Sequence, residues 1–197
     1  MANRASKGSA FERAFCKELS LWWTGGERDD VFWRSSNSGG RAKVRGRAGK
    51  NTAGQHGDIS ATDPIGEPLT KLLTIELKRG YSKFTVADML DKPKNAATQK
   101  WEEWYNQVTE SAAQAGSFAW LLIQKRDHRD ALVFMPIRLF DAISDWLSVS
   151  EKLFSRLNFL TKKPEIEQVA CMKWDYWLSE IYPNDIHIIL SKLGREQ

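Results

Sequence analysis

The 197-residue chain has few cysteines and histidines, and it has no long apolar run. Its two cysteines, Cys16 and Cys171, are far apart and fit no zinc-binding spacing, and Cys16 is expected in a helical core. The three histidines are scattered, which disfavours a histidine-bound metal centre: His56, His128 and His187. No stretch approaches the roughly 18 apolar residues of a membrane span, and the polar N-terminal segment does not resemble a signal peptide. We therefore expect a protein of the reducing cytoplasm that has no membrane partner.

Acidic residues are absent from one long segment, Arg34–Gly57. The same segment carries six basic residues: Arg34, Arg41, Lys43, Arg45, Arg47 and Lys50. It also contains six glycines and hardly any large apolar residue, so it cannot pack a core and is predicted to be a long loop. Such a charge distribution predicts contacts with a polyanion, and we assign the six basic residues to nucleic-acid binding. A solvated surface loop explains the composition equally well.

A core is nevertheless expected, because 42% of the residues are hydrophobic and nine are tryptophans. The first helix should start at Ser9, where Ser9 and Glu12 fit a capping box, and should end near Thr24. A second helix is predicted from Ala97 to Ala115 and should stop at Gly116.

Three short strands are predicted outside the central pattern, over residues 31–34, 118–124 and 131–135. From Ile137 onward the chain reads as mostly helical, with a last strand at Ile186–Leu190. We divide the chain into a core, residues 1–136, and a C-terminal extension, residues 137–197, which packs on that core.

The central pattern is the strand-like run Leu72–Lys78, which follows Gly57-Asp58-Ile59. In a strand, residues i and i+2 share a face, so Glu76 and Lys78 should lie together with Thr74, opposite Leu73, Ile75 and Leu77. Residues 63–68 are rich in turn formers, which predicts an antiparallel hairpin between the strands at 59–62 and 72–78. In that hairpin Asp58 faces Glu76.

Two carboxylates and an amine on one sheet are the parts of a metal-dependent phosphodiesterase. Asp58, Glu76 and the Leu77 carbonyl would supply a partial shell for Mg²⁺, which keeps water and substrate oxygens as its other ligands. Lys78 would orient the attacking water or stabilise charge on the phosphate. The competing interpretation is the wet face of an amphipathic strand, on which Glu76 and Lys78 form an ordinary ion pair.

In sequence, Gly57-Asp58-Ile59 followed by Ile75-Glu76-Leu77-Lys78 resembles the signature of the PD-(D/E)XK nuclease superfamily, with Gly57 in place of the usual proline. Two further segments, Lys7–Arg13 and Arg34–Gly40, make it most similar to archaeal-type Holliday-junction resolvases and related phage nucleases. The resemblance covers about Lys7 to Met135. It implies an α/β fold with a restriction-endonuclease-like core, in which helices flank a mixed β-sheet.

The resemblance also implies roles for further residues. Glu12 would be another catalytic carboxylate, unless it caps its helix, and Ser38 would be the loop serine of the resolvases, with Ser35 and Ser36 as rivals. Gln124 or Gln107 could approach the site, and His56 could contact phosphate or metal.

The expected activity is Mg²⁺-dependent DNA cleavage, with Mn²⁺ as a possible substitute, by a homodimer that prefers branched DNA. A restriction or repair nuclease acting on duplex or single-stranded DNA, and a non-catalytic basic DNA-binding module, remain alternatives.

Overall fold

The computed structural model describes residues 4–35, 56–91, 97–147, 149–159 and 167–194. Five strands form one sheet: β3 (Leu73–Arg79), β4 (Ala119–Lys125), β5 (Ala131–Pro136), β6 (Ser155–Phe159) and β7 (Glu167–Lys173). Their order across the sheet is β3-β4-β5-β7-β6. Strands β3 and β4 are parallel, whereas the other neighbouring pairs are antiparallel. The predicted mixed sheet is therefore confirmed.

A second, two-stranded sheet stands beside the first. Its strands, β1 (Phe32–Arg34) and β2 (Ile59–Ala61), are antiparallel, with Arg34 opposite Ile59. Six helices complete the described chain: α1 (Arg4–Trp23), α2 (Glu67–Leu72), α3 (Lys100–Ala115), α4 (Ile137–Leu147), α5 (Trp174–Glu180) and α6 (Pro183–Leu193). Among the helices of the described ranges, none combines the length and apolar character needed to cross a membrane.

Helices cover both faces of the five-stranded sheet, as in a restriction-endonuclease-like α/β fold. On one face, Trp101, Tyr105 and Val108 of α3 pack against Trp120 and Leu122 of β4. On the other face, helix α1 packs against β3, whose residues Leu73, Ile75 and Leu77 belong to this core, and the C-terminal helices α4 and α5 pack against β5 and β7. Helix α3 ends at Ala115 as predicted, because Gly116 takes a left-handed conformation with φ of 67°. Because successive side chains of a strand point to opposite faces, Glu76 of β3 lies on the face that α3 covers.

The predicted hairpin between residues 59–62 and 72–78 is wrong. Strand β2 pairs with β1, and helix α2 separates it from β3. The turn-rich segment carries helix signals instead: Asp63 accepts a hydrogen bond from the Ile65 amide at 3.0 Å, with Pro64 at the first position of a 3-10 turn. Lys71 and Glu67 then form an ion pair of 3.0 Å, one turn apart in α2.

The predicted start of the first helix and the capping box at Ser9 and Glu12 are also wrong. Helix α1 begins at Arg4, so both residues lie inside the helix. The Ser9 hydroxyl accepts hydrogen bonds from Arg34 at 2.9 Å and Arg13 at 2.8 Å instead of serving a helix end. Cys16, one turn beyond Glu12, is buried in the core as expected.

The C-terminal part of the chain differs from prediction in two places. Residues Ile186–Leu190 are helical in α6, where Pro183 occupies the first turn and Ile186 and Ile189 are buried on one face. Strands β6 and β7 were not predicted, yet they extend the central sheet beyond β5. The described part of residues 137–197 thus contributes both helices and strands.

Candidate active site at the free edge of strand β3

Strand β3 lies at one edge of the five-stranded sheet, and Asp58 docks on that edge. The Asp58 amide donates a hydrogen bond to the Ile75 carbonyl at 2.8 Å. In return, the Leu77 amide donates to the Asp58 Oδ2 atom at 2.8 Å. These two bonds fix both the backbone and the carboxylate of Asp58 beside Glu76. The predicted meeting of the two acidic residues therefore occurs, although no hairpin produces it.

Gly57 makes this close approach possible. Its φ is +78°, and a Cβ atom at this position would lie only 2.6 Å from the Ile75 carbonyl oxygen. A proline, the usual residue of the superfamily signature at this place, has φ fixed near roughly −65° and could not adopt this conformation. The glycine is thus a requirement of how Asp58 reaches β3 in this chain.

Ser35, which follows β1, holds the backbone of Gly57 and Asp58 by two hydrogen bonds. Its hydroxyl donates to the Gly57 carbonyl at 2.6 Å, and its amide donates to the Asp58 carbonyl at 2.9 Å. The side chain is buried, which gives it a structural role. Ser35 and His56 are the described residues that flank residues 36–55, and Ser35 contacts both Gly57 and Asp58.

Glu76, Lys78 and Gln107 form a polar cluster in which Glu76 is buried and the other two side chains are partly buried. The Lys78 Nζ atom lies 2.6 Å from Glu76 Oε1 and 3.3 Å from Gln107 Oε1. The Gln107 Nε2 atom donates to the same Glu76 oxygen. Glu76 is only 3% exposed, which rules out the wet strand face that the ion pair alone would suggest. Helix α3, which carries Gln107, covers this face.

The other glutamine considered from the sequence, Gln124, is structural. Its side-chain oxygen accepts from the Trp101 indole at 3.2 Å, and its nitrogen donates to the Phe84 carbonyl at 3.1 Å. Both of its functional groups are thereby used within the core. Of the two candidates, Gln107 is the one that contacts the acidic pair.

The electrostatics of the cluster favour a bound cation. Burial raises the pKa of Asp58 to about 7, and repulsion from Glu76 acts in the same direction. The Leu77 amide and Lys78 oppose this rise only in part, and Glu12 adds to it. Holding these carboxylates together costs free energy that a positive charge between them would recover.

Glu12 reaches the neighbourhood from helix α1 and is held by Arg34. The Arg34 Nε atom donates to Glu12 Oε2 at 2.5 Å. The two side chains are 30% and 17% exposed, so the pair is largely shielded from water. Arg34, which was expected to bind nucleic acid, is thus engaged inside the protein by two of its guanidinium nitrogens, Nε with Glu12 and Nη1 with Ser9.

The donor set fits a cation that retains water ligands. Within the described residues, no group of three or more histidine, cysteine, aspartate or glutamate side chains is arranged to hold a metal. Asp58 and Glu76 alone offer a partial shell of hard oxygen donors, which matches the preference of Mg²⁺ for a few carboxylates with water and substrate oxygens. The Leu77 carbonyl remains a predicted ligand.

Several predicted site residues lie outside the described part of the chain: Ser38, Arg41, Lys43, Arg45, Arg47 and Lys50. In contrast, the structure reveals two exposed rings near the site that the sequence analysis did not single out, those of Tyr81 and Phe84. The signal was present in the run Lys78–Phe84, in which basic and aromatic residues are interspersed.

Comparison with known proteins adds one match. A model of the protein family described as "Phage putative PDDEXK endonuclease" matches residues 3–187. No curated protein and no solved structure matches the chain. The match spans all the elements that build the site, from α1 to the start of α6.

Proposed function

The chain belongs to this family of phage PDDEXK endonucleases, and from that premise we propose that it is a metal-dependent endonuclease that hydrolyses DNA phosphodiester bonds. One observation carries the proposal. Asp58 is buried at the edge of β3, burial and the charge of the neighbouring buried Glu76 both raise the pKa of Asp58, and the Lys78 amine contacts Glu76 at 2.6 Å. A structural ion pair would not require a second buried carboxylate beside it.

Asp58 and Glu76 would hold Mg²⁺, or Mn²⁺ in its place, with the Leu77 carbonyl as a further ligand. Such an ion, when bound, polarises the phosphate and lowers the pKa of a bound water. The Lys78 amine would then donate hydrogen bonds to the attacking water and to the phosphoryl oxygen on which negative charge develops. Gln107 would hold the Glu76 carboxylate and the Lys78 amine in position for this reaction.

Glu12 would complete the acidic side of the site, either as a ligand or through water. Its contact with Arg34 would set where its carboxylate points. The basic residues of the segment between Ser35 and His56, together with Arg34, would bind phosphates of the DNA. Because coordinated cleavage of two strands needs two sites, a symmetric homodimer is part of the proposal.

We favour a structure-selective activity like that of the Holliday-junction resolvases. Phosphate contacts by arginines and lysines among glycines recognise the path of the backbone and not the base sequence. Restriction of a specific duplex sequence would instead require side chains that are placed against base edges.

A cleavage assay tests the proposal. The protein is incubated with four-way junction, flap, linear duplex and single-stranded DNA of one sequence, in Mg²⁺ and in EDTA. We expect cleavage only with the metal, and fastest cleavage of a branched substrate. Cleavage of none of the four in Mg²⁺ would refute the enzymatic function, and equal rates on all four would refute the structural preference.

A further inference from the structure

Two aromatic rings are exposed on the segment that follows strand β3. Tyr81 is 43% exposed and Phe84 is 38% exposed. Both rings rest on the buried indole of Trp104, at centroid distances of 5.0 Å and 6.4 Å. We call these three residues the aromatic platform. Its outer surface consists of the two rings that water reaches.

The surrounding chain holds the platform in place. The Gly80 amide donates to the Lys125 carbonyl at 3.0 Å, and the Phe84 amide donates to the Tyr81 carbonyl at 3.0 Å. The buried side chain of Gln124 donates to the Phe84 carbonyl at 3.1 Å. Tyr81 has a φ of 53°, in the left-handed region that a bulky residue rarely occupies. The exposure of the rings is therefore imposed by the local structure.

The aromatic platform is next to the candidate active site. Trp104 and Gln107 lie three residues apart on α3, and hence on one face of the helix about 5 Å from each other. Gln107 contacts both Glu76 and Lys78. Trp104, on which both rings rest, thus lies about one helical turn from the residue that contacts the proposed catalytic groups.

The charges around the platform complement a nucleic acid. Lys83 is exposed between the two rings in sequence. Arg126 and Arg129 belong to the turn between β4 and β5. Asp127 of the same turn forms an ion pair of 2.8 Å with Arg79, which lies just before the platform segment. Aromatic rings beside basic side chains are the usual surface for an unpaired nucleotide, whose base stacks while its phosphate is neutralised.

We propose that the aromatic platform stacks an unpaired base of the DNA strand that is being cut, so that the substrate carries unpaired nucleotides next to the scissile phosphate. The proposal rests on the nuclease function proposed above and narrows its substrate class. Bases within a duplex expose only their edges, so a ring can stack on a base only where the strand is open or the base is flipped out.

Binding without metal tests the platform apart from cleavage. Fluorescence anisotropy in EDTA compares a single-stranded oligonucleotide with a duplex of the same sequence. Tyr81→Asn removes one ring with a residue that tolerates the left-handed conformation, and Phe84→Ala removes the other. Tyr176→Ala is the matched control, because Tyr176 is 41% exposed on a different element, α5.

We expect each platform variant to bind single-stranded DNA roughly 5- to 150-fold more weakly, while duplex affinity changes by less than about twofold and the control binds like the wild type. A 2-aminopurine base in the single strand should be quenched by the wild type and less so by the variants. Unchanged single-strand affinity, or equal losses on both DNAs, would overturn the inference.

Failure of the nuclease function has a separate readout. If the wild type cuts no DNA in Mg²⁺ but quenches 2-aminopurine through Tyr81 and Phe84, the platform stands as a binding surface and the catalytic function falls. If the wild type cuts DNA while both platform variants keep its preference between single-stranded and duplex substrates, the function stands and the platform is refuted.

Discussion

Replacing Gly57 by alanine should displace Asp58 while leaving the rest of the fold in place. The new Cβ would lie 2.6 Å from the Ile75 carbonyl oxygen, whereas ordinary contacts begin at 3.4 Å, so one side must move by about 0.8 Å. The positive φ adds a backbone cost of about 1–2 kcal/mol for any residue with a side chain. A displacement near 1 Å at reacting groups lowers rates by roughly 100-fold.

We therefore expect Gly57→Ala to lose about 1–3 kcal/mol of stability and roughly 100-fold of its cleavage rate. Thermal unfolding, at about 2–4 °C per kcal/mol, and single-turnover cleavage measure the two effects. Gly116→Ala is the matched control, because its φ is +67° but its Cβ would meet nothing within 4 Å. It should lose comparable stability and keep full activity. Wild-type cleavage by Gly57→Ala, or equal loss of activity by both variants, would refute the docking of Asp58 on β3 as the basis of the site.

Two further predictions concern side chains around the acidic pair. Gln107→Leu should lower the cleavage rate roughly 10- to 100-fold, as loss of a supporting hydrogen-bond partner does. Gln114→Leu, at an exposed position of the same helix, should have no effect. Equal activities of the two variants would contradict the positioning role of Gln107. A double-mutant cycle of Glu12→Ala and Arg34→Ala, followed by thermal unfolding, should give a coupling energy of about 0.5–3 kcal/mol, and strict additivity would show that the pair does not form in solution.

The strand over residues 73–78 could be predicted from the sequence because its apolar residues alternate with polar ones. Apolar residues at 73, 75 and 77 predicted one buried face, and the structure packs them in the core. The way in which Asp58 docks beside Glu76 could not be predicted, because it depends on the left-handed conformation of Gly57 and on a hydrogen bond to β3, which is distant in sequence. The proximity of Asp58 and Glu76 was thus predicted from a hairpin that does not form.

Other features could not be predicted from the sequence, each for a different physical reason. Strand β6 lies at the sheet edge and is largely exposed, so it lacks the apolar alternation of a core strand. Residues 186–190 are rich in isoleucine, which favours strands, but Pro183 and the spacing of Ile186 and Ile189 produce a helix. Glu12 fitted a capping box by local spacing alone, and its contact with Arg34 of β1 could be found only in three dimensions.

The proposed active site requires the carboxylate of Glu76 for metal-dependent cleavage, and the Mg²⁺-dependent cleavage rate of Glu76→Gln measures this requirement most directly. This change keeps the shape of the side chain and removes its charge. Glu103→Gln, at an exposed glutamate of α3 that pairs with Lys100, serves as the control. We predict that Glu76→Gln cuts at least about 100-fold more slowly than the wild type, while the control cuts normally. Cleavage by Glu76→Gln at the wild-type rate would contradict the proposed active site.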